Sequence, residues 1–112
     1  MNIRIQVRHE AARETIQKYI TTEIEKLRLA YEIISADFIV DQEGANGHIK
    51  TFEAIIHVQG DTFAVTERAD AAHKAIDAAM KVIEKLLLKH KETHKRPGSQ
   101  IRHKVERATD NA

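Results

Sequence analysis

Five cations recur along one stretch of this chain: Lys74, Lys81, Lys85, Lys89 and Arg96. Their spacings of seven, four, four and seven residues place them on one side of a helix. Ala72, Ile76, Ala79, Ile83, Leu86 and His90 fall on the opposite side, at the spacing of a buried stripe. One side therefore anchors a helix to a core, and the other turns cations outward. Asp77 and Glu84 sit toward the edge of the ladder, and of the acidic residues only Glu92 lies on it, while Lys91 and Lys95 widen the patch. A helix face stabilised by its own salt bridges interleaves the two signs. A face this uniformly cationic is expected to meet a polyanion, with a phosphate backbone as the first choice. Lys26 and Arg28, near the end of an earlier helix, are expected to extend it.

Other chemistry is harder to place. His90 and His94 stand four apart on the same helix, but Lys91 occupies the position where a zinc-protease motif needs Glu. The neighbouring lysines would also repel a metal ion, so no metal or other cofactor is expected. His57 alternates with buried positions and reads as a lone histidine on the outer face of a sheet. The acidic pairs Glu23-Glu25 and Asp37-Asp41 read as solvated faces rather than as acid/base pairs in a pocket. The two serines, Ser35 and Ser99, lie in no nucleophile elbow, and the four glycines form no phosphate-binding loop. No catalytic constellation emerges, and the expectation is a protein that is not an enzyme.

The bulk properties bound the rest. A chain of 112 residues with 42% hydrophobic residues suffices for one domain with a core. It has no cysteine, which excludes a disulfide framework and thiolate metal sites. No apolar run has the length of a signal peptide core or a membrane span, so a soluble, cytoplasmic protein is expected. The net charge of +1 conceals a division: residues 1–73 hold 8 Lys+Arg against 12 Asp+Glu, and residues 74–112 hold 10 against 5. Segregation of charge is a better guide to a polyanionic partner than its sum.

The elements that must position the ladder follow from periodicity. Ile3, Ile5 and Val7 alternate with Arg4, Gln6 and Arg8, which predicts a half-buried strand. Ile16, Ile20, Ile24, Leu27 and Tyr31 keep helical spacing and predict a helix over 11–31, with Tyr19 on its flank and no side chain suited to cap its start. Alternation returns at Ala36, Phe38 and Val40, and again at Phe52, Ala54, Ile56 and Val58, across the turn cluster Gly44-Ala45-Asn46-Gly47. Gly60-Asp61 is read as a two-residue hairpin that pairs Val58 with Phe63 and Ile56 with Val65, the fourth strand ending near Glu67. Asp70 is the expected N-cap of a last helix over 71–95, stopped by Pro97-Gly98. The expected fold class is α+β: a two-layer sandwich in the order β-α-β-β-β-α, with a four-stranded sheet and two helices packed on one face. A domain over 1–96 and a flexible tail over 97–112 are expected. All three phenylalanines fall on the inward face, so no aromatic platform for stacking bases is present, and recognition would be of shape and charge.

The element order and several short motifs resemble the ribosome hibernation promoting factors, the family that includes ribosome-associated inhibitor A and proteins once labelled sigma-54 modulation proteins. Phe52-Glu53-Ala54-Ile55-Ile56-His57-Val58 resembles the family's third strand. Ala75-Ile76-Asp77, Lys85-Leu86 and Lys89-His90-Lys91 resemble its Ala-Ile-Asp, Lys-Leu and Lys-His-Lys signatures, and Lys26-Leu27 matches a point in its first helix. The likeness covers roughly residues 1–95 and departs at the lead-in to Ala-Ile-Asp. There Asp70 stands one residue early, and His73 replaces a tyrosine. The resemblance is to the short form, without a second, dimerising domain. It implies a non-enzymatic translation regulator that binds the small ribosomal subunit and its 16S rRNA over the decoding region, and hibernates ribosomes in stationary phase or stress. The residues expected to contact RNA are those of the charge ladder: Lys74, Lys81, Lys85, Lys89, Lys91, Lys95 and Arg96, with Lys26 and Arg28 beside them. The alternatives are a generic double-stranded RNA-binding module and an interaction module for a transcription regulator.

Overall fold

Each alternating stretch forms a strand and each 3.6-period stretch a helix. The computed structural model describes residues 2–8 and 12–95, with side chains through 93. The elements are β1 (Asn2–Val7), α1 (Arg13–Ala30), β2 (Ser35–Glu43), β3 (Ile49–Val58), β4 (Asp61–Ala69) and α2 (Ala72–Lys95). The sheet order is β1-β2-β3-β4, with β1 parallel to β2 and the remaining pairs antiparallel. The α1 crossover makes the parallel pairing reachable. The expected α+β two-layer sandwich is the fold observed. The tail expected over 97–112, and with it Arg96, lies outside the described residues.

Both helices cover one face of the sheet. α2 lies over β3 and β4 and packs against α1, which reaches β1. Phe38, Phe52, Ile56, Ile20, Ile24, Ile76, Ile83 and Leu87 are buried in the single core. The Phe38 and Phe52 rings stack at 5.6 Å between centroids. The buried stripe of α2 is wider than its i, i+3, i+4 spacing suggested. Ala75, Met80 and Leu87 are buried as well, because α2 packs against the sheet and against α1 together.

Two local expectations change. The β3–β4 hairpin turns through Gln59-Gly60, not Gly60-Asp61: Val58 pairs with Asp61, Ile56 with Phe63 and Ala54 with Val65. Gly60 has φ of 83°, a conformation that glycine accepts at no steric penalty. The expected register was two residues away, and a shift of two keeps every side chain on its own face. Asp70 is not the cap of α2. Its carboxylate lies 3.1 Å from the Lys74 ammonium, and the helix opens with the Ala71 carbonyl accepting from the amides of Lys74 and Ala75. β4 runs on to Ala69, and α1 begins after Ala12 without a side-chain cap.

Candidate nucleic-acid interface

Burial of one stripe of α2 fixes which way the rest of the helix points. With Ile76, Ala79, Ile83 and Leu86 in the core, Lys74, Lys81, Lys85 and Lys89 are exposed on the far side. Three of them stand in one row. Among the described residues, Lys81, Lys85 and Lys89 make no salt bridge and no hydrogen bond through their ammonium groups, although Glu84 and Glu92 are nearby in sequence. An unpaired ammonium keeps its full charge for an outside partner. Leu88, 45% exposed, sits in the same row.

The other cations are differently placed. Lys74 is paired with Asp70, and the hydrogen bond and charge of Lys74 hold the Asp70 carboxyl below its ordinary range. Lys26 and Arg28, both exposed on α1, pair with Glu23 at 3.1 Å and Glu25 at 2.8 Å. These surface pairs are worth little and yield readily to a phosphate. Lys91 turns toward the end of α1. Its ammonium lies 3.3 Å from the Ala30 carbonyl and 5.4 Å from the centre of the Tyr31 ring. That position suits the negative end of the α1 dipole, and it separates Lys91 from the open row. The Lys95 side chain and all of Arg96 lie outside the described atoms.

Several of the remaining candidates for chemistry have structural partners, and the His94 side chain and Ser99 lie outside the described atoms. His57 is not alone: its Nδ1 meets the Thr62 hydroxyl at 3.2 Å and its Nε2 stands 3.9 Å from Asp37, which also faces Arg4 at 3.6 Å. This polar chain crosses all four strands of the uncovered sheet face. Asp41 pairs with Arg8 at 3.4 Å. His90 Nε2 lies 3.0 Å from the Gln59 carbonyl, and its ring meets Phe63 edge-on, so it packs α2 onto the β3–β4 turn. Among the described residues, no three His, Cys, Asp or Glu side chains converge on a metal-sized site. None of the described helices is long and apolar enough to cross a membrane.

One pairing was not visible in the sequence. The Tyr19 hydroxyl donates to the Asp77 carboxylate across the α1–α2 interface. Hydrogen bonding to Asp77, then desolvation, then the charges of Asp77 and Glu23 push the Tyr19 phenol up to about 12. Periodicity put Tyr19 on the flank of α1 and Asp77 on the edge of the ladder, but only the packing of the two helices joins them.

Fold and surface together define a small α+β sandwich with a cationic helix face. The chain belongs to the sigma 54 modulation protein / S30EA ribosomal protein family, whose sequence model matches residues 3–95. That family is one of ribosome-associated proteins rather than of enzymes. Solved structures share the fold, two of them as follows. A ribosomal subunit interface protein from Coxiella burnetii is 19% identical, with a TM-score of 0.71 over 82% of this chain and 99% of the other. The N-terminal domain of Protein Y from Thermus thermophilus is 20% identical, with a TM-score of 0.69 over 80% of this chain and 98% of the other. No curated protein sequence is significantly similar to this chain.

Proposed function

We propose that this chain binds the small ribosomal subunit through 16S rRNA at the decoding region and holds ribosomes inactive in stationary phase or stress. The observation that carries the reading is the row Lys81, Lys85 and Lys89, exposed and unpaired among the described residues on a helix whose other side is locked into the core. A rigid sandwich that presents such a row binds folded RNA by its phosphates, and the inward phenylalanines leave no stacking platform for reading bases. Lys74, Lys26 and Arg28 flank the row and can exchange their weak surface pairs for phosphate. In this reading residues 1–96 act as the ribosome-binding unit. Family membership supports a ribosomal partner over RNA in general.

Chemical footprinting of 16S rRNA in small subunits tests the assignment. Protection confined to the decoding region, unaffected by excess bulk duplex RNA, is the expected result. Displacement by bulk duplex would make the protein a generic double-stranded RNA binder instead.

A further inference from the structure

Asp70 and Asp77 each stand four residues before a lysine of α2, but only Asp77 lies within the helix, where that spacing and orientation favour an ion pair. Asp70 pairs with its lysine, at 3.1 Å from Lys74. Asp77 does not take Lys81. Its carboxylate instead accepts a hydrogen bond from the Tyr19 hydroxyl of the neighbouring helix. Glu84, three residues beyond Lys81, does not pair with it either. Asp77 thus forgoes the pair that its position inside α2 favours, and the Tyr19 hydroxyl is the group that holds its carboxylate instead.

We infer that Tyr19 is a positioning residue: it draws the Asp77 carboxylate toward α1 and so leaves the Lys81 ammonium free for an anionic partner. The groove between the helices, lined by Glu23, Lys26, Asp77, Lys81 and Glu84, holds the competing charges within reach of one another. Glu23 is occupied by Lys26. Tyr19 keeps its proton far above neutral pH, so it remains a donor to Asp77 under all ordinary conditions. The inference rests on the polyanion-binding reading for its consequence, but not for its geometry.

The test uses the intact chain in five forms: wild type, Tyr19→Phe, Asp77→Asn, the double variant Tyr19→Phe/Asp77→Asn, and Lys81→Glu. Each is followed by carbon-13 NMR titration of the lysine ε-carbons and by affinity for purified small ribosomal subunits at low salt. Tyr19→Phe removes one oxygen and keeps the ring in place. It is expected to release Asp77 to Lys81, shifting the Lys81 titration upward and weakening subunit binding roughly twofold, the size of one exposed helical pair. In the double variant Lys81 returns to its wild-type titration and binding recovers. A Lys81 titration identical in wild type and Tyr19→Phe overturns the inference. So does a binding loss that Asp77→Asn fails to relieve, since Tyr19 would then act through packing. Wild-type affinity in Lys81→Glu overturns the polyanion reading instead, and the lysine titration then decides the Tyr19 geometry by itself.

Discussion

The Lys91 ammonium lies 5.4 Å from the centre of the Tyr31 ring and 3.3 Å from the Ala30 carbonyl, closing the C-terminal end of α1 onto α2. It is therefore a different kind of lysine from Lys85, which stands exposed and unpaired among the described residues on the same helix. Lys91→Ala is expected to lower folding stability by about 1 kcal/mol, from the lost cation–π contact and the lost charge at the helix end. Lys85→Ala is expected to stay within about 0.5 kcal/mol of wild type. Urea denaturation of the two variants checks the contrast. For subunit binding the ranking reverses, with Lys85→Ala the weaker binder.

Tyr19 gives the fold a pH signature. Its phenol titrates at about 12 when folded and near 10 when unfolded. A group whose folded pKa is raised contributes stability that is fully present below the unfolded value and is lost as pH rises through the folded value. Stability should thus decline from about pH 10 toward pH 12 more steeply in wild type than in Tyr19→Phe. Tyrosinate absorbance followed against pH should show a late step that Tyr19→Phe abolishes.

The two buried phenylalanines of the β2–β3 pair carry much of the core. Phe52 is fully buried and stacked on Phe38. Phe52→Ala is expected to destabilise by about 3–5 kcal/mol, a large part of a small domain's stability. Leu88→Gln, at a 45% exposed position, should change stability by no more than about 0.5 kcal/mol. It should still lower the part of subunit binding that persists at high salt, because Leu88 is the apolar member of the row. Thermal denaturation and binding at two salt concentrations separate these effects.

The faces of the sheet were legible in the sequence because alternation has a period of two, and Ile56, Phe63 and Val65 all fall where that pattern puts them. The register was not, because a slide of two residues preserves the pattern; the turn at Gln59-Gly60 decides it. The exposure of Lys74, Lys81, Lys85 and Lys89 was legible because one helix carries both the buried stripe and these cations. What the other cations do was not. Whether Lys91 faces the open row depends on where α1 ends, and whether Asp70 caps α2 depends on where that helix starts, which is after Ala71. His57 gains its partners from β2 on one side and β4 on the other, which no reading of β3 alone supplies. Tyr19 and Asp77 lie 58 residues apart and meet only through helix packing.

The central claim is that the α2 row of lysines carries the ribosome contact. The direct measurement is co-sedimentation of the double variant Lys81→Glu/Lys85→Glu with small ribosomal subunits at low salt, alongside wild type, with circular dichroism confirming a native fold. The account predicts that wild type sediments with the subunits and is released steeply as salt rises, as expected when several phosphates are neutralised, whereas the folded double variant stays in the supernatant. Co-sedimentation of the folded double variant at wild-type levels would contradict it.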